Sequence, residues 1–544
     1  PLLIPNMSVD ASSSPNLPLR IAASIIGATP ILQSLPEILS PYTQPVFSNV
    51  QYLSETLGLG DFQTTLFMLC LWSSFFLMIL ARIIPAGLMR QFYTLVIGMT
   101  FSFLNFGVGA FHSLSCVLYG YAMLILSQLI VTMIGARNPR LASKLVQYIS
   151  IFVYVSMFAH LTLVHWYRMT IDYLGWSLDF SLIQMLLTLK LISVQMNYND
   201  GVRVKALHAE KKIPAEKYMY EGHVFYSIQR IPGPMLYSSF MYFFPVLLSG
   251  PVVEFRDFVN WANGSSLPFD LKEAFRNLFW GFVNMGIFVA VGPLFPMKTS
   301  MMSPYIDTAP LYEIVLRTVV CAFCLRTKYF VSWYFGQANC VIGGFGGVKN
   351  DKTNKIEWSG IDQARFWDVE LCTNIRDVAT NWNANVSRWL RLYAYTRITD
   401  MSNGRPGAWK NILGTFIISA LWHGLYFGYH WTFFWLAVLS EIHKTFFKKV
   451  TRRIFTEDEW KYRKHTARMM VYDFFAIILT HLTISHFTVS FQVLAKEPAF
   501  AYYSRCYWIG HILMFVAAAI VFTMPPVRIG GDKKQVKKES KKEL

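Results

Sequence analysis

The sequence predicts an all-α polytopic membrane protein with about eleven transmembrane helices, supplemented by re-entrant and interfacial helices. The first observation is composition, since 54% of the 544 residues are hydrophobic and only 15% are charged, against roughly a quarter in an ordinary soluble domain. The second is that the apolar residues form long runs, several near the roughly 20 residues that a membrane-spanning helix needs. The third is that basic residues lie mainly between or after those runs, as at the cytoplasmic ends of membrane helices.

The apolar runs divide the chain into three predicted regions. Residues 1–60 are rich in Ser, Pro and Leu and are predicted to be a non-spanning lead-in, with an interfacial segment near Ile21 to Leu32. Residues 61–528 are predicted to form the transmembrane core, and residues 529–544 a basic tail. The runs cover residues 65–84, 92–111, 115–134, 146–166, 179–196, 236–253, 277–295, 311–326, 329–345, 410–446, 469–492 and 507–524. Because the run 410–446 is long enough for two helices, the total is about eleven to thirteen.

Two polar stretches interrupt the runs. Residues 197–235 are charged, and three prolines (Pro214, Pro232 and Pro234) exclude one continuous helix there. Residues 346–408 form the longest non-spanning stretch of the core. No internal repeat is evident in the sequence.

An amphipathic helix is predicted at residues 377–398, within the second polar stretch. Trp382, Trp389 and Tyr393 recur at i, i+7 and i+11, a spacing that places them on one helix face. Such a helix suits the membrane interface.

The tail is a run of lysines that is predicted to be cytoplasmic. Lys541 and Lys542 stand where a dilysine retrieval signal would, so the sequence predicts an endoplasmic reticulum membrane protein. The alternative is a basic run that only aids solubility. The net charge of +17 is then explained by topology and by attraction to anionic headgroups, and no nucleic-acid partner is expected.

Seven cysteines lie mostly inside the apolar runs. Cys321 and Cys324 form an isolated CxxC, but apolar residues surround it and no second pair completes a zinc site. They are predicted to be buried thiols that behave as small hydrophobic side chains, and no metal site is expected.

The stretch SALWHGLYFGYHWTFF (419–434) places His423 inside an apolar run. A histidine within the membrane is energetically costly and is usually functional. Gly424 and Gly428 allow a substrate or another helix to approach it closely. A core histidine that only forms a hydrogen bond to a neighbouring helix is the alternative, and residue type alone leaves it open.

The stretch NWNANVSRWL (381–390) begins with alternating polar residues. Asn381, Asn383 and Asn385 precede the predicted amphipathic helix. Asparagine often caps helices, and Asn381 or Asn383 could serve only that purpose.

Together, the two stretches resemble the membrane-bound O-acyltransferase family. Residues 422–433 fit the pattern W-H-G-x-x-x-G-Y-x-x-x-F in full, and Trp382–Asn383 supplies the upstream W-N. The resemblance is strongest to the lysophospholipid acyltransferase branch and extends over about residues 60–525. Three weaker segments support it: LKLISVQMNYNDG (189–201), FFPVLLSGPVVEFRDF (243–258) and KYFVSWYFGQANCVIGGFGG (328–347).

The resemblance implies that His423 and Asn383 are the catalytic pair of a chamber buried in the membrane. His423 would be the general base on a lysophospholipid hydroxyl, and Asn383 would position a substrate or stabilise the oxyanion. The acyl donor would be acyl-CoA as a co-substrate, with no permanently bound cofactor. The candidate substrate-binding residues are Trp382, Trp422, Asn197, Asp200, Gln337, Tyr429, Arg388 and Arg391.

Alternatives remain open for several of these residues. Asn197 and Asp200 could instead form a turn that ends a membrane helix. Arg388 and Arg391, with Lys410, could bind CoA phosphates or could be interface anchors whose charged ends reach water. Gln337 stands where the branch usually has an acidic residue, which leaves the headgroup preference open.

Two other functions compete with phospholipid remodelling. Within the same family, the acceptor could be a neutral lipid or a protein. In a different class, the chain could be a transporter with an intramembrane histidine, although such folds often show repeat symmetry. The expected partners are membrane lipids and the two substrates, and a homodimer is left open.

Overall fold

The computed structural model describes residues 30–57, 61–175, 178–211, 218–350, 353–363, 365–401, 408–461 and 466–525. The helices of the first part are α1 (Pro30–Leu57), α2 (Phe62–Ile83), α3 (Leu88–Phe106), α4 (Ala110–Ile134), α5 (Pro139–Ile171), α6 (Ser181–Lys211), α7 (Glu221–Phe225), α8 (Pro234–Met241), α9 (Phe244–Leu247), α10 (Phe255–Ala262), α11 (Leu271–Val291), α12 (Met297–Ser300), α13 (Tyr305–Thr308) and α14 (Leu311–Ile342). Those of the second part are α15 (Phe366–Glu370), α16 (Ile375–Asn381), α17 (Ala384–Leu390), α18 (Thr396–Met401), α19 (Trp409–His423), α20 (Phe427–Phe446), α21 (Arg452–Ile454), α22 (Glu457–Lys461), α23 (Ala467–Phe487), α24 (Val489–Val493), α25 (Lys496–Arg505) and α26 (Ile509–Thr523).

Irregular turns and one small hairpin complete the described structure. Short 3₁₀ turns cover Gly107–Gly109 and Gly292–Leu294, and π-helical turns cover Arg391–Tyr395 and Phe447–Thr451. The strands β1 (Val348–Asn350) and β2 (Lys355–Glu357) form an antiparallel hairpin in which Val348 pairs with Glu357. The predicted all-α class is confirmed.

Five described helical segments are long and apolar enough to cross a membrane, and the protein is therefore multi-pass. They are α2, α4, α5, Leu271–Leu294 and Ala467–Val493, and the pair α25–α26, bent by 73°, makes a sixth if it is one span. Other long helices, such as α6 and α14, carry more charge. The count of about eleven stays a prediction.

The outer surface of these helices is apolar. On α11, for example, Phe275, Phe279 and Phe282 are all exposed. Exposed apolar area on this scale is rare on soluble monomers, whereas acyl chains cover it without cost. The outer faces therefore contact lipid.

Helix α6 lies at the centre of the bundle. Nearly every side chain from Ser181 to Val202 is buried. Its Lys190 Nζ donates to Phe240 O (2.9 Å) and Met241 O (3.2 Å), so a buried amino group satisfies the carbonyls at the end of α8. The central helix thus fixes the position of α8.

Two predicted helix boundaries are wrong. The runs 311–326 and 329–345 form the single helix α14, because charged residues lower hydropathy without breaking a helix. The run 236–253 is not one helix but the short helices α8 and α9 followed by irregular chain. It is apolar because it is buried, not because it spans.

The predicted amphipathic helix 377–398 is interrupted. Helices α16 and α17 are separated at Trp382 and Asn383, so the three predicted aromatic residues do not share one face. Trp382 packs against Trp333 of α14, whereas Trp389 donates its indole N–H to Leu189 O of α6 (3.1 Å).

The ends of the chain are partly outside the described residues. The predicted interfacial segment near Ile21 falls mostly there, as do the tail 529–544 and its Lys541–Lys542 pair. Within the predicted lead-in, residues 30–57 form helix α1.

We expect Gly98→Ala to destabilise the fold by about 2–3 kcal/mol, as overpacked core substitutions do. A Cβ at Gly98 of α3 would lie 1.7 Å from Tyr242 O and 2.7 Å from its carbonyl carbon. Backbone cannot yield as a flexible side chain can. The measurement is the apparent thermal midpoint of the detergent-solubilised protein.

Gly286→Ala on α11 is the matched control for Gly98→Ala. A Cβ at Gly286 meets nothing within 4 Å, so this change should leave the midpoint unchanged or raise it slightly. Equal midpoints for the two variants would contradict the close contact between α3 and the end of α8.

Candidate active site

His423 is the last residue of α19, at a sharp break in the chain. Gly424 follows with φ of 129°, a backbone conformation that favours glycine, and its N–H donates to Ala420 O (3.1 Å). Helix α20 then begins at Phe427. The prediction of two helices in the run 410–446 is confirmed, and the break leaves the imidazole at a helix end.

Aromatic rings surround the His423 imidazole. Ring centroids lie 4.8 Å away for Trp422, 5.7 Å for Tyr429, 5.2 Å for Phe433 and 5.1 Å for Phe491. The side chain is half-buried. Its ring nitrogens form no hydrogen bond with any residue in the described part of the chain. A buried polar group usually finds a partner, so this geometry leaves the nitrogens available to a substrate.

Two other histidines hold the turn on either side of His423. His165 Nε2 lies 3.1 Å from Trp422 O, and His430 Nε2 lies 3.1 Å from Gly424 O. Sequence reasoning missed both. The available signal was their position, because His165 lies inside the predicted run 146–166 and His430 inside the motif itself.

Trp422 anchors the same turn to the centre of the bundle. Its indole N–H donates to Met185 O of α6 (3.0 Å), and its side chain is buried. On α20, Gly428 donates its N–H to Leu494 O (2.9 Å), and a Cβ there would lie 1.8 Å from Ser490 O. The motif glycines thus permit close packing around His423.

Asn383 forms the break between α16 and α17. Its backbone is left-handed, with φ of 48° and ψ of 56°, a conformation that asparagine tolerates better than most residues. Its side chain caps neither helix. Its Oδ1 is enclosed by protein but accepts no hydrogen bond within the described ranges.

Aromatic side chains surround both motifs. The Trp382 ring lies 4.7 Å from Trp333 and 5.6 Å from Tyr329, both on α14. Tyr329 lies within electrostatic reach of Tyr429, whose ring is 5.7 Å from His423. The W-N and W-H-G segments, 40 residues apart in sequence, therefore border the same region.

Asn197 and Asp200 fasten the segment that follows Asn383 to α6. Arg397 donates to both carboxylate oxygens of the fully buried Asp200, at 2.7 and 2.5 Å. Tyr393 Oη lies 2.9 Å from Asn197 Oδ1 and 2.7 Å from Glu254 Oε2, and its one hydroxyl proton is shared between these two acceptors. The alternative in which residues 197–201 form a turn is wrong, because they lie inside α6.

Glu254, which sequence reasoning did not select, lies in the irregular chain before α10. Asn197 Nδ2 also donates to it (3.4 Å). Burial raises the pKa of Glu254 to about 7, against the opposing effect of the Tyr393 hydrogen bond. This cluster holds the π-helical turn that follows α17 against α6.

The remaining predicted residues have other neighbours. Arg388 donates to Gly360 O (3.0 Å), which ties α17 to the preceding loop, and Arg391 is exposed. Gln337 Nε2 donates to Asn277 Oδ1 (3.2 Å) and Asp362 Oδ1 (3.5 Å). An acidic side chain, supplied by Asp362, is thus present beside Gln337.

A narrow apolar gap adjoins Trp422 and leaves no room for even a water molecule. Its lining is formed by α5, α6, α17 and α19. The lining residues are Phe158, Leu189, Val386, Trp389, Leu390, Ile418, Ser419 and Trp422. Apolar side chains thus pack closely beside the turn that carries His423.

Relatives of this chain are acyltransferases by name. Lysophospholipid acyltransferase 6 of Drosophila melanogaster is 24% identical over 87% of this chain, which spans 63% of that protein's length. Lysophospholipid acyltransferase of Schizosaccharomyces pombe is 25% identical over 87% of this chain and 89% of its own. Membrane-bound glycerophospholipid O-acyltransferase 2 of Gallus gallus is 25% identical over 69% of this chain and 71% of its own.

The family model described as MBOAT, membrane-bound O-acyltransferase family, matches residues 169–489. This range includes both Asn383 and His423, together with helices α6, α14, α19 and α20. Because the match covers more than half of the chain, the protein belongs to the membrane-bound O-acyltransferase family.

Proposed function

We propose that the protein transfers a fatty acyl chain from acyl-CoA to the free hydroxyl of a lysophospholipid. The O-acyltransferase class follows from the family. The lysophospholipid acceptor is proposed because relatives named lysophospholipid acyltransferases align with most of the chain. The observation that carries the chemistry is the His423 imidazole, enclosed by aromatic rings and with no hydrogen bond to a described residue.

His423 is the proposed general base. A ring nitrogen accepts the proton of the acceptor hydroxyl while that oxygen attacks the thioester carbonyl carbon. The tetrahedral intermediate collapses with cleavage of the carbon–sulfur bond. The proton on His423 then passes to the departing thiolate, which yields CoA and the acylated phospholipid. Direct transfer needs no acyl-enzyme.

Asn383 is the proposed oxyanion or substrate contact. Its carboxamide can donate to the oxygen that becomes negative in the tetrahedral intermediate. Its fixed left-handed backbone holds the carboxamide before the substrate arrives, which avoids reorganisation during the reaction.

The test of this function is transfer by purified protein in detergent. Labelled oleoyl-CoA is supplied with lysophosphatidylcholine, lysophosphatidylethanolamine, lysophosphatidic acid, monoacylglycerol, diacylglycerol or cholesterol. Labelled diacyl phospholipid supports the proposal. Product with neutral lipids alone indicates a different branch of the family, and no product with any acceptor contradicts the proposed function.

The proposed location is the endoplasmic reticulum, with the C-terminus in the cytoplasm. This rests on Lys541 and Lys542 near the end of the chain. A homodimer is left open.

A further inference from the structure

Three charged side chains lie close to the proposed reacting centre. Arg168 Nε, near the end of α5, is 3.2 Å from Asp179 Oδ2, in the connection to α6. Lys328 lies near the midpoint of the 32-residue helix α14 and interacts electrostatically with Arg168.

These charges adjoin His423 through residues already described. His165, which contacts the Trp422 carbonyl, lies within electrostatic reach of both Asp179 and Arg168. Tyr429, whose ring lies 5.7 Å from His423, also interacts with Arg168. The ion pair therefore borders the His423 side of the centre.

Lys328 lies on α14 next to the residue that contacts the W-N segment. It precedes Tyr329, whose ring contacts Trp382 at 5.6 Å, and Trp382 is the neighbour of Asn383 in the chain. Although Lys328 lies in the middle of a long helix, its side chain is exposed. The Lys328 side chain thus has accessible surface one residue away from the contact between α14 and the W-N segment.

The chemistry of the acceptor explains why two cations belong here. In a lysophospholipid, the phosphate is only a few bonds from the free glycerol hydroxyl, so a bound phosphate must lie beside the base. In acyl-CoA, the whole pantetheine arm separates the thioester from the phosphates. Arg and Lys both bind phosphate well, and Arg can do so through two parallel hydrogen bonds.

We propose that Arg168 and Lys328 bind the phosphate of the lysophospholipid acceptor, with Asp179 orienting the Arg168 guanidinium. This inference rests on the proposed function and adds to it the residues that distinguish a phosphorylated acceptor from a neutral glyceride. It also makes the phosphate an anchor that brings the hydroxyl to His423.

The test is steady-state kinetics of Lys328→Gln and Arg168→Gln, each with both substrates varied. Each change should raise KM for lysophosphatidylcholine about tenfold or more, since it removes a charge-assisted hydrogen bond. KM for oleoyl-CoA should not change. Lys328→Arg should restore most of the lost affinity, because it keeps the charge.

Lys349→Gln on β1 and Arg137→Gln after α4 are the matched controls. Both side chains are exposed, and neither belongs to the group formed by Arg168, Asp179 and Lys328. A rise in KM for oleoyl-CoA instead would assign the cations to CoA phosphates and overturn the inference. Unchanged KM for both substrates, in variants with wild-type thermal midpoints, would overturn it too.

The wild-type acceptor panel separates this inference from the proposed function. If the wild-type enzyme acylates no lysophospholipid, the function fails and the inference fails with it. If the wild-type enzyme does so and the variants retain its KM for that acceptor, only the inference fails.

Discussion

His423→Ala is expected to reduce the rate of acyl transfer by roughly 10²–10⁴-fold, the usual contribution of a general base. Without the imidazole, no described group at this turn can take the proton from the attacking hydroxyl. The neighbouring His165 and His430 form hydrogen bonds to the backbone carbonyls of Trp422 and Gly424, the residues before and after His423. The measurement is single-turnover transfer from labelled oleoyl-CoA to lysophosphatidylcholine by the purified variant.

A second variant excludes a packing explanation for the loss. His423→Phe keeps a ring against Phe433 and Phe491, whose centroids lie 5.2 and 5.1 Å from the imidazole, but provides no base. It should be as inactive as the alanine variant with a near-normal thermal midpoint. His208→Ala, at an exposed site on α6, controls for loss of a histidine. Wild-type turnover by His423→Phe would refute the assignment of His423 as the base.

Hydropathy predicted the helical membrane class because helices that contact lipid are apolar. It could not distinguish a membrane-spanning helix from buried short helices at 236–253, because burial inside the protein also selects apolar residues. Residues Phe240 to Leu248 are nearly inaccessible, yet Pro245 lies at the start of a four-residue helix. Periodicity and apolarity alone give no signal for such short, fully enclosed helices.

Charged residues made the single helix α14 appear as two separate apolar runs in the sequence. Arg326 and Lys328 separate two apolar runs, and the sequence shows no partner for either. In the structure, Arg326 donates to both carboxylate oxygens of Glu370 at 2.7 Å. A partner 44 residues away removes much of the cost of the charge, and only the fold supplies that partner.

The part of the candidate site that lies within a short sequence motif could be predicted from the sequence. The W-H-G pattern indicated His423, and W-N indicated Asn383. The residues around them come from separate stretches: His165 and Arg168 from α5, Lys328 from α14 and Phe491 from α24. None belongs to a distinctive motif, so their convergence appears only in three dimensions.

Asn383→Ala is expected to lower kcat by roughly 10²–10³-fold, as loss of one oxyanion donor does in other acyl-transfer enzymes. KM for oleoyl-CoA should change little, because a contact that forms only in the transition state does not contribute to ground-state binding. The measurement is steady-state kinetics in detergent. Asn381→Ala is the matched control. The Asn381 amide donates to a backbone carbonyl, Asp368 O (3.0 Å), and has no proposed contact with substrate.

The left-handed backbone at residue 383 allows the chemical and conformational roles to be separated. Alanine is strained at φ of 48°, whereas glycine adopts that conformation freely. If Asn383 serves only the turn between α16 and α17, Asn383→Gly should retain activity that Asn383→Ala loses. If its carboxamide contacts the reacting atoms, both variants should be equally slow. Asn383→Asp, which keeps the shape but removes the donor, should be as slow as glycine. Activity near the wild-type value in the glycine variant would leave His423 without its proposed partner.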